Sequence, residues 1–325
     1  MAADPTCEKP DFYAGFGLEK GAGKPIGGAI GSCTVGAVSD KQKKTVLITG
    51  CSTGIGRATA ERLAGRGWNV YATARRLDSI ADLEASGCKL LELDVTSEDS
   101  MTAAVQRVEQ AEGAVYGLVN NAGYSQSGAV ETVDGEQMRR QFETNVFGLV
   151  RLCQLVLPAM RERREGRIVN ISSMGGRMTF PGGGIYHATK YAVEAISDAL
   201  RFEVAGFGVK VVLVEPGLIT TNFADAAVGS MDGVLAGDGT AASPYDKFNN
   251  TVAASTTDIY TGPMRHLGAG PEAVAKTIEH VLRRRGPRAR YTVTPSAKLS
   301  LAARAVTPDR LWDAAMGAAF PRPGR

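Results

Sequence analysis

The sequence predicts an α/β protein built on a doubly wound parallel sheet of the Rossmann type, with a flexible N-terminal extension. Three observations predict it. Short apolar runs alternate with helical patterns from Lys44 to about Val293. The first run, Val46-Leu47-Ile48, passes directly into a glycine-rich turn and then a helix. Polar residues recur at the C-terminal ends of the runs, where open parallel sheets bind ligands.

Residues 1–43 stand apart. They are rich in glycine, from Gly15 to Gly36, and show no sustained period, so a disordered extension is expected. The weakly apolar stretch Ile26 to Val38 is too far in and too glycine-rich for a secretory signal. Ile30-Gly31-Ser32-Cys33 only faintly resembles a lipoprotein cleavage box. From Lys44 the pattern changes. Val46-Leu47-Ile48 suits a buried parallel strand. Thr49-Gly50-Cys51-Ser52-Thr53-Gly54-Ile55-Gly56 follows, and Ala58, Ala60, Leu63 and Ala64 then mark a helix that stops at Gly65-Arg66-Gly67. Strand, glycine-rich turn and helix start make a pyrophosphate site: glycines let the backbone approach, and free N–H groups meet the charge. The spacing Gly-x-x-x-Gly-x-Gly differs from the commoner Gly-x-Gly-x-x-Gly fingerprint.

Asn69 to Ala74 is the second strand and ends in Arg75-Arg76. An acidic residue at that place binds the ribose hydroxyls of NAD, whereas arginine accommodates the 2′-phosphate of NADP. Leu90 to Val95 is a third strand, with Asp94 placed to cap a turn or contact an adenine. A helix marked by Met101, Ala104, Val105 and Val108 leads to a fourth strand, Val115 to Val119, and to Asn120-Asn121-Ala122-Gly123. Gln137 to Leu157 is one long helical pattern with Asn145 inside it. Asparagine is a mediocre helix former, so it is either exposed or bonded to something specific. Arg167 to Ile171 is a fifth strand and delivers Ser172-Ser173. The next helix carries Ala192, Val193, Ile196, Ala199, Leu200 and Val204 on one face, with Glu194, Asp198, Arg201 and Glu203 opposite. Val209 to Val214 is the sixth strand and ends at Glu215-Pro216-Gly217. Residues 218–270 break the rhythm and read as a long loop or lid. A helix over Glu272 to Arg285 and a last strand at Tyr291-Thr292-Val293 complete a domain over 44–295, followed by a helical extension over 296–325.

Composition narrows the function. With 44% hydrophobic and 22% charged residues the chain reads as soluble and globular, and a net charge of +3 argues for neither nucleic acid nor membrane. No apolar run approaches the ~20 residues of a membrane span. The five cysteines lie far apart without Cys-x-x-Cys, which suits reduced thiols and a cytoplasmic location. Three histidines give little material for a zinc site, so no metal is expected.

On the helix after the fifth strand, Tyr186 and Lys190 stand four apart on one face. A phenol has a pKa of roughly 10 in water. A nearby ammonium lowers it, so such a pair can exchange protons near neutral pH. Alone, Tyr-x-x-x-Lys is a common chance pattern. Together, Thr49 to Gly56, Asp94, Asn120 to Gly123, Asn145, Ser173, Tyr186 to Lys190 and Pro216-Gly217, in this order, resemble the short-chain dehydrogenase/reductase family. The Val-Glu-Pro-Gly form and Ala74-Arg75-Arg76 resemble members acting on steroids, retinoids and acyl-dihydroxyacetone phosphate. The N-terminal extension has no counterpart in the family pattern.

The resemblance implies that Asn145, Ser173, Tyr186 and Lys190 are catalytic. Ser173, thirteen residues before Tyr186, has the family's separation, which selects it over Ser172. In that scheme Tyr186 protonates a carbonyl oxygen as hydride arrives, Ser173 holds the oxygen, Lys190 lowers the Tyr186 pKa and binds the nicotinamide ribose, and Asn145 keeps a water chain. Cofactor contacts are implied for Gly50, Ser52, Thr53, Gly54, Ile55, Gly56, Arg75, Arg76, Asp94, Val95, Asn121, Ala122, Gly123, Tyr186, Lys190, Pro216, Gly217, Ile219 and Thr221. The expected cofactor is NADP(H), with NAD possible, and the expected substrate is a hydrophobic ketone, aldehyde or alcohol. A homodimer or homotetramer is expected. In 218–270, Gly229, Gly233, Gly237, Gly239 and Gly268 read as hinges, and Phe223, Leu235, Phe248, Ile259 and Leu267 as sparse apolar anchors. The rival readings are an NAD-linked alcohol dehydrogenase of the same fold and a non-catalytic dinucleotide sensor. A sensor has no need of all four catalytic residues.

Overall fold

The computed structural model describes residues 44–221, 227–231 and 243–324. The reading of residues 1–43 lies outside them, as do Phe223, Leu235, Gly233, Gly237 and Gly239. Strand β1, Thr45–Ile48, is buried along its whole length, and α1 follows at Gly54–Ala64. Next come β2, Asn69–Ala74, a short 3₁₀ turn, Leu77–Glu84, and β3, Lys89–Glu92. Helix α2, Glu98–Glu112, is capped by the Ser97 side chain, which accepts from the Ser100 N–H, and ends at Gly113 in a left-handed conformation with φ +77°. Strand β4, Gly117–Asn120, leads to α3, Gly135–Phe142, a π-helical turn, Glu143–Phe147, and α4, Gly148–Glu162. Strand β5, Gly166–Ile171, precedes α5, Gly184–Glu203, and β6, Val209–Glu215.

Among the described residues these strands and β7, Arg290–Thr292, form one parallel sheet in the order β3-β2-β1-β4-β5-β6-β7. The chain reverses its winding direction between β1 and β4, where such sheets open a crevice at the C-terminal strand ends. Apolar side chains cover both faces. Leu47, Leu118, Ile168 and Leu213 pack with α2 and α4 on one side. Val46, Ile48, Val119, Val169 and Val212 pack with α1 and with α7, Pro271–Arg283, on the other.

Two expectations change. Residues 218–270 are not one loop: α6, Asp246–Thr261, runs through them. Its sequence hid it because the period is carried only by Phe248, Asn249 and Val252. Thr251, Thr256, Thr257 and Thr261 each turn their hydroxyl back to the carbonyl four residues earlier, which satisfies polar groups in an otherwise poor helix former. Of the expected anchors, Phe248 is buried, whereas Ile259 is exposed. On α5, Glu194 is buried and Ala199 exposed, the reverse of the predicted faces, because Arg290 on β7 pairs with Glu194 from the core side. The chain ends in α8, Pro295–Val306, and α9, Asp309–Ala319.

Candidate active site

Strand β1 passes straight into the glycine turn. Gly50 and Gly54 adopt φ of +70° and +57°, a region glycine enters freely. At Gly56 a side chain would place its Cβ 2.2 Å from the Gly50 carbonyl oxygen, so nothing larger fits. The end of β4 locks this turn. The Asn121 amide donates to the carbonyls of Thr49 and Gly50 at 2.9 and 3.0 Å. The Thr49 hydroxyl accepts from the N–H groups of Asn121 and Ala122. Helix α1 then starts at Gly54, with no side-chain cap from Thr53 and no acidic residue in its first turn. Unpaired N–H groups and the positive end of the helix dipole remain for an anion, so the turn fits a pyrophosphate. Ser52 and Ile55 are half-buried in the turn. Cys51 is fully buried there, and burial pushes its thiol up to about 12, so it is inert.

The two arginines after β2 differ. Arg76 is taken by Asp78, with Nε 3.1 Å from Oδ1. Arg75 is exposed and makes no hydrogen bond or ion pair among the described residues. Asp94 caps a turn: its Oδ1 accepts from the backbone and hydroxyl of Thr96 at 2.9 and 2.8 Å. Val95 is buried in the core beside it.

On the other side of the crevice, β5 ends in two serines that face opposite ways, as strand neighbours do. Ser172 is buried on the side of Glu194. Ser173 accepts from the Gly175 N–H at 3.0 Å and is hydrogen-bonded to the Tyr186 phenol. Of the two serines, Ser173 is the one beside the phenol. Lys190 lies one turn after Tyr186 with Nζ 5.9 Å from its ring, and donates to the Ile171 carbonyl at 2.8 Å. Asn145 sits in the π-helical turn at 1% exposure. Its amide donates to the Tyr124 carbonyl and the Thr189 hydroxyl, both at 3.0 Å, and its oxygen accepts from the Tyr124 N–H. A side chain at Gly123 would meet Asn145 Oδ1 at 3.0 Å and Lys190 Nζ at 3.8 Å, so these residues converge on one point.

Burial governs the charges. It pushes the Tyr186 phenol well above its ordinary range, and the Ser173 hydrogen bond pulls it partly back. It lowers Lys190 to about 8, against the attraction of Glu194. Lys190 is not among the groups that set the Tyr186 shift. The ammonium is tied to a carbonyl on β5 and the phenol is desolvated, which disfavours the phenolate.

After β6 the backbone returns over the crevice. The Pro216 carbonyl accepts from the Met174 N–H at 2.9 Å. Gly217 lies against the hydroxyls of Thr294 and Ser296. Thr221 stands beside Gly54: a Cβ built there would lie 3.3 Å from its methyl. Ile219 is buried in the core, with its backbone bridged to Ala269, which leaves only main-chain atoms for a ligand. Beside Tyr186, Phe180 packs between His187 and Trp312 at 6.0 and 6.1 Å. Phe248 meets Phe320 at 6.5 Å in a cluster with Ala129, Met231 and Val252.

Several supports had no sequence signal. Thr189 and Gln141 orient Asn145 and the Tyr124 backbone. A buried chain from Asn120 through Asn170 to Ser197 ties β4, β5 and α5 together, with both bonds at 2.9 Å. Arg290 joins Glu194 and Asp198 on α5 to Glu215 on β6.

With this geometry in hand, comparison with known proteins is decisive. The family model for short chain dehydrogenase matches residues 44–231. The chain belongs to the short chain dehydrogenase family. It is 36% identical over 272 residues to an uncharacterized oxidoreductase, YbbO, of Escherichia coli, covering 83% of this chain and 93% of the relative. It is 34% identical over 292 residues to retinol dehydrogenase 16 of Rattus norvegicus, covering 88% and 92%. A solved serine dehydrogenase complexed with NADP+ shares 27% identity and a TM-score of 0.66, covering 78% of this chain and 95% of that one. This short chain dehydrogenase is therefore an oxidoreductase that uses a nicotinamide dinucleotide. None of its described helices is long and apolar enough to cross a membrane.

Proposed function

We propose that this dehydrogenase interconverts a hydrophobic ketone or aldehyde and its alcohol with NADP(H). The observation that carries the reading is the Ser173–Tyr186 pair beside Lys190, facing the glycine turn across the crevice at the C-terminal strand ends. The turn from Gly50 through Ser52, Thr53, Gly54 and Ile55 to Gly56 holds the pyrophosphate. Asn121 and Ala122 act by fixing that turn. Arg75 meets the 2′-phosphate, which Arg76 cannot do while paired with Asp78. Asp94 and Val95 border the adenine, and Gly123, Pro216, Gly217, Ile219 and Thr221 border the nicotinamide end.

When bound, the cofactor supplies or accepts the hydride. The chain does the rest. Tyr186 gives its phenolic proton to the carbonyl oxygen in reduction and takes it back in oxidation. Ser173 donates to the same oxygen and orients it. Lys190 holds the ribose hydroxyls, and Asn145 keeps the loop at Gly123 and Tyr124 in place behind them. The aromatic side chains of Phe180 and Trp312 beside His187 support an apolar substrate, and a relative, retinol dehydrogenase 16, is named for an alcohol of that kind. A homodimer or homotetramer is the expected assembly.

The test is a linear aldehyde series from butanal to dodecanal, assayed with NADPH and NADH. kcat/KM should rise with chain length and favour NADPH. A flat or falling series sinks the apolar reading. Tyr186→Phe should bind cofactor normally and lose about 10²–10⁴ in kcat. Near-normal turnover in that variant would overturn the catalytic assignment.

A further inference from the structure

His187 follows Tyr186 directly, and its imidazole is buried in the first turn of α5. Nδ1 lies 2.9 Å from the Gly175 carbonyl oxygen. A carbonyl only accepts, so Nδ1 carries the proton. Burial holds the ring below its ordinary pKa range, so it is neutral with a bare Nε2. The same Gly175 residue uses its N–H to donate to Ser173 Oγ at 3.0 Å. The slot around the ring is glycine-lined on two sides. A Cβ at Gly175 would stand 2.4 Å from Nδ1, and one at Gly183 would stand 2.6 Å from Nε2. The ring also lies edge-on to Tyr186 at 5.6 Å. One side chain therefore grips the turn after Ser173, the turn before α5 and the neighbour of the phenol.

From this arrangement we infer that His187 is a positioning residue that fixes the Ser173 hydroxyl, an inference that rests on Ser173 and Tyr186 being the catalytic pair. A serine hydroxyl has one donor and two acceptor positions and rotates freely. With the Gly175 N–H filling one acceptor position, the O–H is aimed away from the turn and is left for the phenol or the substrate oxygen. The N–H and the carbonyl of Gly175 belong to adjoining peptide planes that meet at its Cα, so a held carbonyl limits how far the N–H can swing away from Ser173. Loss of the His187 N–H leaves a buried carbonyl without a partner, and the turn rotates to find one.

The test compares kcat and cofactor Kd in His187→Asn, His187→Gln, His187→Phe, Ser173→Ala and the double variant His187→Gln/Ser173→Ala, with NADPH and the best aldehyde of the series. The asparagine amide falls near the Nδ1 position and should retain most of kcat. The glutamine amide reaches toward the Nε2 side and the phenylalanine ring has no donor. Both should lower kcat by about tenfold or more with cofactor Kd unchanged. In the Ser173→Ala background the glutamine substitution should cost less than about threefold further, because the group it acts through is gone. Wild-type kcat in His187→Gln overturns the inference, and so does a full multiplicative loss in the double variant. If phenylalanine fails to fold, the asparagine and glutamine pair decides alone. Undiminished turnover in Tyr186→Phe would instead sink the catalytic reading beneath it, so the two failures are distinct.

Discussion

The two sides of the crevice hold their site residues by different means. Around β1, β2 and β4 the site is backbone: glycines at positive φ, carbonyls clamped by Asn121 and an uncapped helix start. Around β5, α5 and β6 it is buried side chain: Lys190, Glu194, Glu215, Asn145 and Asn170 sit in the core, each held by a second polar group. The first side works through shape, because only glycine lets a phosphate come close. The second works through charge and protons in a place with little water, where every unpaired group is expensive. One side should therefore fail by steric clash and the other by lost chemistry, with separate signatures.

The largest effect should come from Gly56→Ala. Its Cβ would meet the Gly50 oxygen at 2.2 Å and the Asn121 amide nitrogen at 2.5 Å, and both belong to the clamp that shapes the turn. Overpacking of this kind costs about 1–3 kcal/mol, and the backbone must shift to relieve it. Cofactor binding should be lost in a fluorescence titration and Tm should fall. Tyr186→Phe should show the opposite signature, with binding and Tm intact and turnover gone. If Gly56→Ala binds cofactor as the wild type does, the backbone account of this side is wrong.

A smaller effect is expected at the border of the same side, where one charged side chain carries a choice. Arg75→Asp removes an exposed guanidinium and places a carboxylate at the end of β2, where an acidic residue favours ribose hydroxyls. A charge-assisted hydrogen bond is worth about 1.5–3 kcal/mol. The NADPH/NADH ratio of kcat/KM should then drop by tenfold or more and reverse. Arg76→Ala should move it little, because Arg76 is engaged with Asp78. Equal use of both cofactors by the unaltered enzyme would contradict the assignment.

The same contrast explains what the sequence discloses. Glycines constrained by close approach leave a spacing, so the turn from Gly50 to Gly56 was legible, as was each strand that lies in the core as an apolar run. Tyr186 and Lys190 were legible because a helix puts them on one face. Their supports were not. Glu194 reads as a surface residue until β7 brings Arg290 to it from nearly a hundred positions away. Thr189 and His187 look ordinary because their partners, Asn145 and Gly175, are chosen by the fold. Helix α6 was missed for a local reason: its threonines satisfy themselves on their own backbone and need no apolar face to be helical. The burial of Tyr186 and Lys190 was hidden for a related one, since spacing shows that two groups are near but not that both are buried.

The smallest and most discriminating effect lies with Lys190. If the β5–α5 side exists for chemistry, its buried ammonium should be a burden on the fold. Burial takes Lys190 from 10.5 to about 8, which corresponds to roughly 3 kcal/mol of desolvation. A group whose pKa is depressed by folding favours stability at high pH. Wild-type stability, measured without cofactor, should therefore rise between about pH 8 and 10.5 as the ammonium sheds its proton, and the full penalty should be present below pH 8. Lys190→Met removes the charge and keeps the volume, but it leaves the Ile171 carbonyl without its donor, at about 1–3 kcal/mol. The net expectation near neutral pH is a gain on the order of 1 kcal/mol, a rise in Tm of about 2–4 °C, together with loss of turnover. The alkaline rise in stability should shrink in the variant. Cofactor affinity gives the matching readout. An ammonium that meets ribose hydroxyls near phosphate charge holds its proton more tightly in the complex, so wild-type Kd should increase above pH 8 and the methionine variant's should not. A variant several degrees less stable at neutral pH would show that Lys190 supports the fold, and the division between a side built for shape and a side strained for chemistry would not hold.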